Sequence, residues 1–240
     1  MTLKSSKPIK LALGLLVTGA VAGLVSACAS QGTTDNPVMG KLSWFSYMEG
    51  GDIRATCGPG AANRYRLVYN GVYTEQVRTY EWGAADQRLN VGVTEAVDIT
   101  QGSVGTFNDL LNPWRAKTAS RTLSDADATR VVSALERDGV FGPPAVGTEL
   151  SSKGFFWTVA SCHDGAYRFT AVAWPSPSWD AMTFDDVVFD LDPSPIAVNP
   201  PRKTDTRRDT KRGRYGHVIE NEFHTKVGEN GLFGVISLGQ

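Results

Sequence analysis

The sequence predicts an α+β fold, with an antiparallel sheet packed on one main helix at about residues 125–138 and a C-terminal extension of low order. Three observations carry this. β-rich segments fall in two groups, before and after a single amphipathic helix, and no alternation of strand and helix supports a doubly wound parallel sheet. The 10 Phe, 6 Trp and 7 Tyr all lie beyond residue 40, so one body holds the core. The chain is 41% apolar and 20% charged, with 24 basic against 25 acidic residues, which excludes a disordered chain. No repeat at periods of about 20 to 50 residues points to a solenoid.

Taken in order, Arg64 to Asn70 alternates, with Tyr65, Leu67 and Tyr69 on one face. Asn70-Gly71 follows and Val72 to Trp82 is β-rich, which predicts a hairpin closed by a type I′ turn. Leu89, Val91 and Val93, then Val97 and Ile99, share a face of a third strand or of a pair broken near Glu95. Ser124 to Gly139 is the helix. Ser124 is placed to cap it, with Asp127 as a capping-box partner, and Asp125 and Asp127 suit its positive end. Ala128, Val131, Val132 and Leu135 form one buried stripe. Gly139 suits a left-handed cap with Val140 packing back on Leu135, and Pro143-Pro144 forbids continuation.

Phe155 to Ser161, Tyr167 to Trp174 and Val187 to Leu191 read as strands, the first two joined at Cys162-His163-Asp164-Gly165. These elements make residues 41–199 a single domain. Residues 200–215 form a Pro-rich, basic linker containing Arg207, Arg208, Lys211 and Arg212. Residues 216–240 are a tail too short to fold alone, with a strand expected at His217 to Phe223.

At the N-terminus, Lys4, Lys7 and Lys10 precede an uncharged stretch from Leu11 to Val25, the pattern of a secretory signal rather than of a spanning helix. It closes with Leu24-Val25-Ser26-Ala27-Cys28, which resembles the lipobox of bacterial lipoproteins. The resemblance implies that residues 1–27 are a signal peptide. It further implies that Cys28 becomes the lipidated mature N-terminus, anchored in the membrane by its acyl chains, and that residues 28–40 are a flexible tether. It places the body in the cell envelope, facing the periplasm. Ala29, where an Asp would retain the product at the inner membrane, favours the outer membrane. Three further stretches, Asp52 to Cys57, Trp157 to Gly165 and Ala197 to Arg202, are similar to uncharacterised proteobacterial envelope lipoproteins. This resemblance covers most of residues 42–202 and implies a location without an activity.

Loss of residues 1–27 removes three Lys and no acid, leaving 21 basic against 25 acidic residues, and no nucleic-acid footprint. Two cysteines then remain, Cys57 and Cys162, in an oxidising compartment, and a disulfide is expected. Closing a loop of that length stabilises by about 4 to 5 kcal/mol on the chain-entropy model. The rival reading is a reactive thiol at Cys162 beside His163 and Asp164, although adjacent strand residues face opposite ways.

Phosphate-loop, dinucleotide, nucleophile-elbow and zinc-protease motifs are missing from the sequence, and no cofactor is implied. Three constellations remain. His163 and Asp164 sit at an exposed turn flanked by aromatic strands. Glu220, Glu222 and His224 share a face if they lie on a strand, as metal ligands would. An acidic and aromatic run contains Trp174, Trp179, Asp185 and Asp186, and with the turn it makes a candidate ligand surface. The expected function is therefore a non-catalytic binding or structural module for an envelope protein or polymer. The alternative is a periplasmic hydrolase acting on peptidoglycan or glycan through paired carboxylates near residues 174–192.

Overall fold

The computed structural model describes residues 44–95, 116–204, 223–229 and 231–233. Cys28, the basic residues Arg207, Arg208, Lys211 and Arg212, and Glu220 and Glu222 lie outside them. Residues 44–48 are helical, and helix α1 spans Gly51–Thr56. The strands β1 (Arg64–Gly71), β2 (Gln76–Gly83), β3 (Arg88–Glu95) and β4 (Lys117–Thr122) follow. Helix α2 (Asp125–Arg137) leads to β5 (Glu149–Ser151), β6 (Phe155–His163) and β7 (Ala166–Trp174). Two short helices, α3 (Pro177–Ala181) and α4 (Phe184–Asp190), and two strands, β8 (His224–Gly228) and β9 (Gly231–Phe233), complete the described chain.

Six strands form an antiparallel sheet in the order β4-β3-β2-β1-β6-β7. Its central strands are buried on both faces, so two apolar layers cover it. On the first face Tyr65, Leu67, Tyr80, Val91, Trp157 and Val159 meet Val131, Ala134 and Leu135 of α2 and Phe184 and Val188 of α4. On the second, Val68, Phe156, Ala160 and Phe169 meet Trp44, Met48, Leu150, Phe223 and Val227.

Helix α2 forms as its pattern predicts. The Ser124 hydroxyl accepts from the Asp127 N–H at 3.1 Å. At the other end Gly139 takes φ 72°, and the Val140 N–H reaches Leu135 C=O at 2.9 Å, closing a Schellman cap. The helix shares its layer with α3, α4 and the extended chain 191–199, so the cover is composite rather than one main helix.

Three expectations are corrected, and one strand was missed. Asn70-Gly71 does not turn, because β6 pairs with β1 as far as Gly71↔Phe155 and keeps it extended. The reversal comes at Val72, at φ 63°, whose C=O accepts from Glu75 and Gln76. Residues 187–191 belong to a helix and its cap: Phe184, Val188 and Leu191 recur at helical spacing and are all buried, and this outweighs the period-two pattern. The polar β4 was not foreseen, since its exposed residues show no buried alternation. The C-terminal extension is ordered where it is described, pairing β5-β8-β9 into a second sheet with Val227 fully buried.

Candidate functional site

The β6–β7 hairpin turns through Asp164 at φ 50° and Gly165 at φ 72°, two left-handed residues as a type I′ turn requires. A Cβ on Gly165 would lie 2.7 Å from Gly58 C=O, so the turn is packed against the loop leaving α1. That loop is held by the disulfide Cys57–Cys162, with Cα atoms 5.5 Å apart. Disulfide formation removes the reactive-thiol reading of Cys162.

The register puts Tyr65 opposite Ser161 and Trp82, so Tyr65, Trp82 and His163 share the first face. Tyr65 and Trp82 stack, centroids 4.8 Å apart, and His163 lies flat on Phe141 at 4.0 Å. The Tyr65 hydroxyl and His163 Nδ1 are 2.8 Å apart. Burial, helped by the charge of Asp164, pushes Tyr65 up to about 12. The phenol therefore stays protonated at neutral pH and shares a hydrogen bond with the His163 ring, whose Nε2 lies 3.7 Å from Asp164 Oδ2. Asn63 fixes the turn by accepting from the Asp164 N–H at 2.9 Å.

Asn63, Tyr65, Trp82 and His163 line one side of a half-open recess of about 280 Å3, with Ala128, Thr129, Val132 and Ser133 of α2 on the other and Gln87 at the rim. No Lys, Arg, Asp or Glu lines it. The volume sits at the small end of ligand sites, room for one ring rather than a polymer segment. Gln87 donates its amide to Asp125 at 2.6 Å. Chemically the recess offers two aromatic rings and several neutral hydrogen-bonding groups.

Of the residues singled out from sequence, His163 lines the recess and Asp164 lies beside it. Trp174 ends β7 eight residues beyond Ala166, about 27 Å along a strand. It packs on Phe155, and Trp179 packs on Tyr69. Asp185 and Asp186 open α4, where burial raises the Asp185 carboxyl above the ordinary range. The expected single surface is therefore two separate places. His224 begins β8. Among the described residues no group of three or more His, Cys, Asp or Glu is arranged to hold a metal. Asn63, Tyr65, Trp82 and Gln87 were missed. Only strand register brings them to His163, and the Tyr65 alternation was read as core alone.

No protein-family model, curated protein or solved structure matches this chain.

Proposed function

We propose that this chain is a lipid-anchored, periplasm-facing envelope protein whose body is a non-catalytic binding module. Its recess takes one small uncharged ring with hydrogen-bonding edges, such as a sugar unit of an envelope glycan. The observation that carries this reading is the aromatic, charge-free lining of the recess. Sugar hydroxyls satisfy neutral donors and acceptors while the ring's apolar face packs on aromatic carbon. The anchor is supported by the order of basic segment, apolar segment and lipobox ending at Cys28, and Ala29 favours the outer membrane.

The hydrolase reading needs two carboxylates facing each other, about 5 to 9.5 Å apart. Two acids of the 174–192 run, Asp190 and Asp192, are instead held in ion pairs, and Asp138 beside it in a cap. Asp138 accepts from the Thr183 and Phe184 N–H groups at 2.7 and 2.8 Å, Asp190 pairs with Arg130 at 2.7 Å, and Asp192 pairs with Arg78.

Labelled palmitate should enter the wild-type chain and not Cys28→Ser. For the body, titrating full-length protein in detergent micelles with methyl glucoside and N-acetylglucosamine should shift the Trp82 and His163 resonances saturably. Ser133→Trp, filling the recess from the exposed side of α2, should abolish the shifts. Release of reducing ends from peptidoglycan that disappears in Asp185→Asn or Asp186→Asn would instead establish the hydrolase.

A further inference from the structure

Cys162 directly precedes His163, which lines the recess, and it is bonded to Cys57 at the end of α1. Across the β1–β6 ladder Cys162 pairs with Arg64. Residues 58–63 are therefore a short loop closed at one end by sulfur and at the other by strand pairing. This loop contributes Asn63 to the recess.

The loop grips the β6–β7 turn from both of its ends. At its start, a Cβ on Gly165 would meet Gly58 C=O at 2.7 Å and Pro59 Cα at 3.2 Å, so no side chain fits between loop and turn. At its end, the Asn63 side chain accepts from the Asp164 N–H at 2.9 Å, and its amide faces Asp164 Oδ1 at 3.5 Å. The two ends are fastened differently. Asn63 is held through its backbone, because its C=O accepts from the Ala84 N–H at 2.9 Å and Arg64 continues into β1. The start has the bridge. Among the described residues the one backbone hydrogen bond made by 58–62 is internal, from the Ala61 N–H to Gly58 C=O, and Pro59, Gly60 and Ala62 are exposed. Helix α1 holds to the body further back, at Ile53, which is 1% exposed, and at Asp52, 2.6 Å from Arg66. Opening the bridge therefore frees the start of the loop while α1 and the sheet keep their contacts.

We propose, resting on the reading of the recess as the binding site, that the Cys57–Cys162 bridge is a redox switch for that site. Bridged, the loop holds the turn and keeps Asn63 and His163 as one ordered wall. A dithiol that opens the bridge loosens that wall. Cys162 is 1% exposed and Cys57 half-buried, so an incoming thiolate meets Cys57. It bonds to Cys57 Sγ as the Cys57–Cys162 bond breaks, and Cys162 leaves as a thiolate that takes up a proton. The dithiol's second sulfur then displaces Cys57, which is protonated in turn. Two electrons pass to the protein and the dithiol departs as a disulfide. A wall assembled only part of the time lowers apparent affinity by that fraction, because each binding event must first order it.

The test uses full-length protein in detergent micelles before and after dithiothreitol, with free thiols counted by mass spectrometry. In the opened form, amide exchange at Asp164 should quicken about tenfold while Leu135 in α2 stays protected. N-acetylglucosamine should bind about tenfold more weakly, and reoxidation with glutathione disulfide should restore the affinity. Asn63→Ala keeps the bridge and should by itself quicken Asp164 exchange in the oxidised protein, which separates the grip on the turn from any unfolding caused by Cys57→Ser. Unchanged Asp164 exchange in the opened form overturns the proposal. So does loss of Leu135 protection together with that of Asp164, which would make the bridge a fastener of the whole fold, and so does equal sugar affinity in the two forms. If the bridged protein takes no sugar, the reading of the recess fails, and Asp164 exchange alone decides whether the bridge governs the wall.

Discussion

Two arginines lie buried in neighbouring strands, Arg78 of β2 on the α2 face and Arg66 of β1 on the other, and they are neutralised in different ways. Arg78 is fully buried and its partner Asp192 is 5% exposed. The same Asp192 carboxylate accepts from the Tyr80 hydroxyl at 2.7 Å, while Arg78 also donates to Gln76 at 3.0 Å and to Ile196 C=O. Arg66 has two carboxylates, Asp52 at 2.6 Å and Glu81 at 3.1 Å, but these are 52% and 34% exposed. It also lies over the Tyr47 ring at 4.0 Å and donates to the Tyr47 C=O. The Arg78 network is buried and has one anion, whereas the Arg66 network has a second anion and carboxylates open to solvent. Dependence on a partner should follow from that difference, because a buried charge left alone costs far more than a solvated one.

The largest effect is therefore expected at Asp192. Asp192→Asn strands the Arg78 charge and should cost about 3 to 5 kcal/mol in urea unfolding with the disulfide intact. The double variant Arg78→Met with Asp192→Leu should recover most of that loss. A single-variant cost below about 1 kcal/mol would place water beside Arg78 and erase the contrast. Asp52→Asn should cost about 1 kcal/mol or less, since Glu81 still balances Arg66.

The smallest effect is in pH. Burial pushes Asp52 up, but the Arg66 and Arg64 guanidiniums outweigh it and hold the carboxyl below the ordinary carboxylate range. Its contribution is thus complete above the unfolded value of about 4 and is lost as pH falls through the lower folded value. The stability gap between wild type and Asp52→Asn should shrink across that interval. A gap independent of pH would mean that Asp52 acts through packing rather than charge.

Legibility in the sequence followed local signals. The Ser124 cap, the Val131 and Leu135 stripe and the Gly139 stop are short-range, and α2 forms where they place it. The two central hairpins announce themselves by alternation. Strand β4 carries Lys117, Ser120 and Arg121 on an exposed edge, and no alternation survives there. Helix α4 was misread because Val187, Phe189 and Leu191 also satisfy period two over so short a stretch. The Asp192–Arg78 pair and the Asn63, Tyr65 and His163 cluster link positions about 100 residues apart, and only strand register makes them neighbours.

The disulfide joins positions 105 residues apart and encloses β1 to β5 and most of β6. A pull applied between the two ends of the chain passes across the sulfur bridge, from Cys57 directly into the central strand β6. Roughly 350 Å of contour length is withheld from extension in this way. Under tension only the residues before Cys57 and those after Cys162 can pay out, so no tension runs along the backbone of β1 to β4 while the bridge is intact.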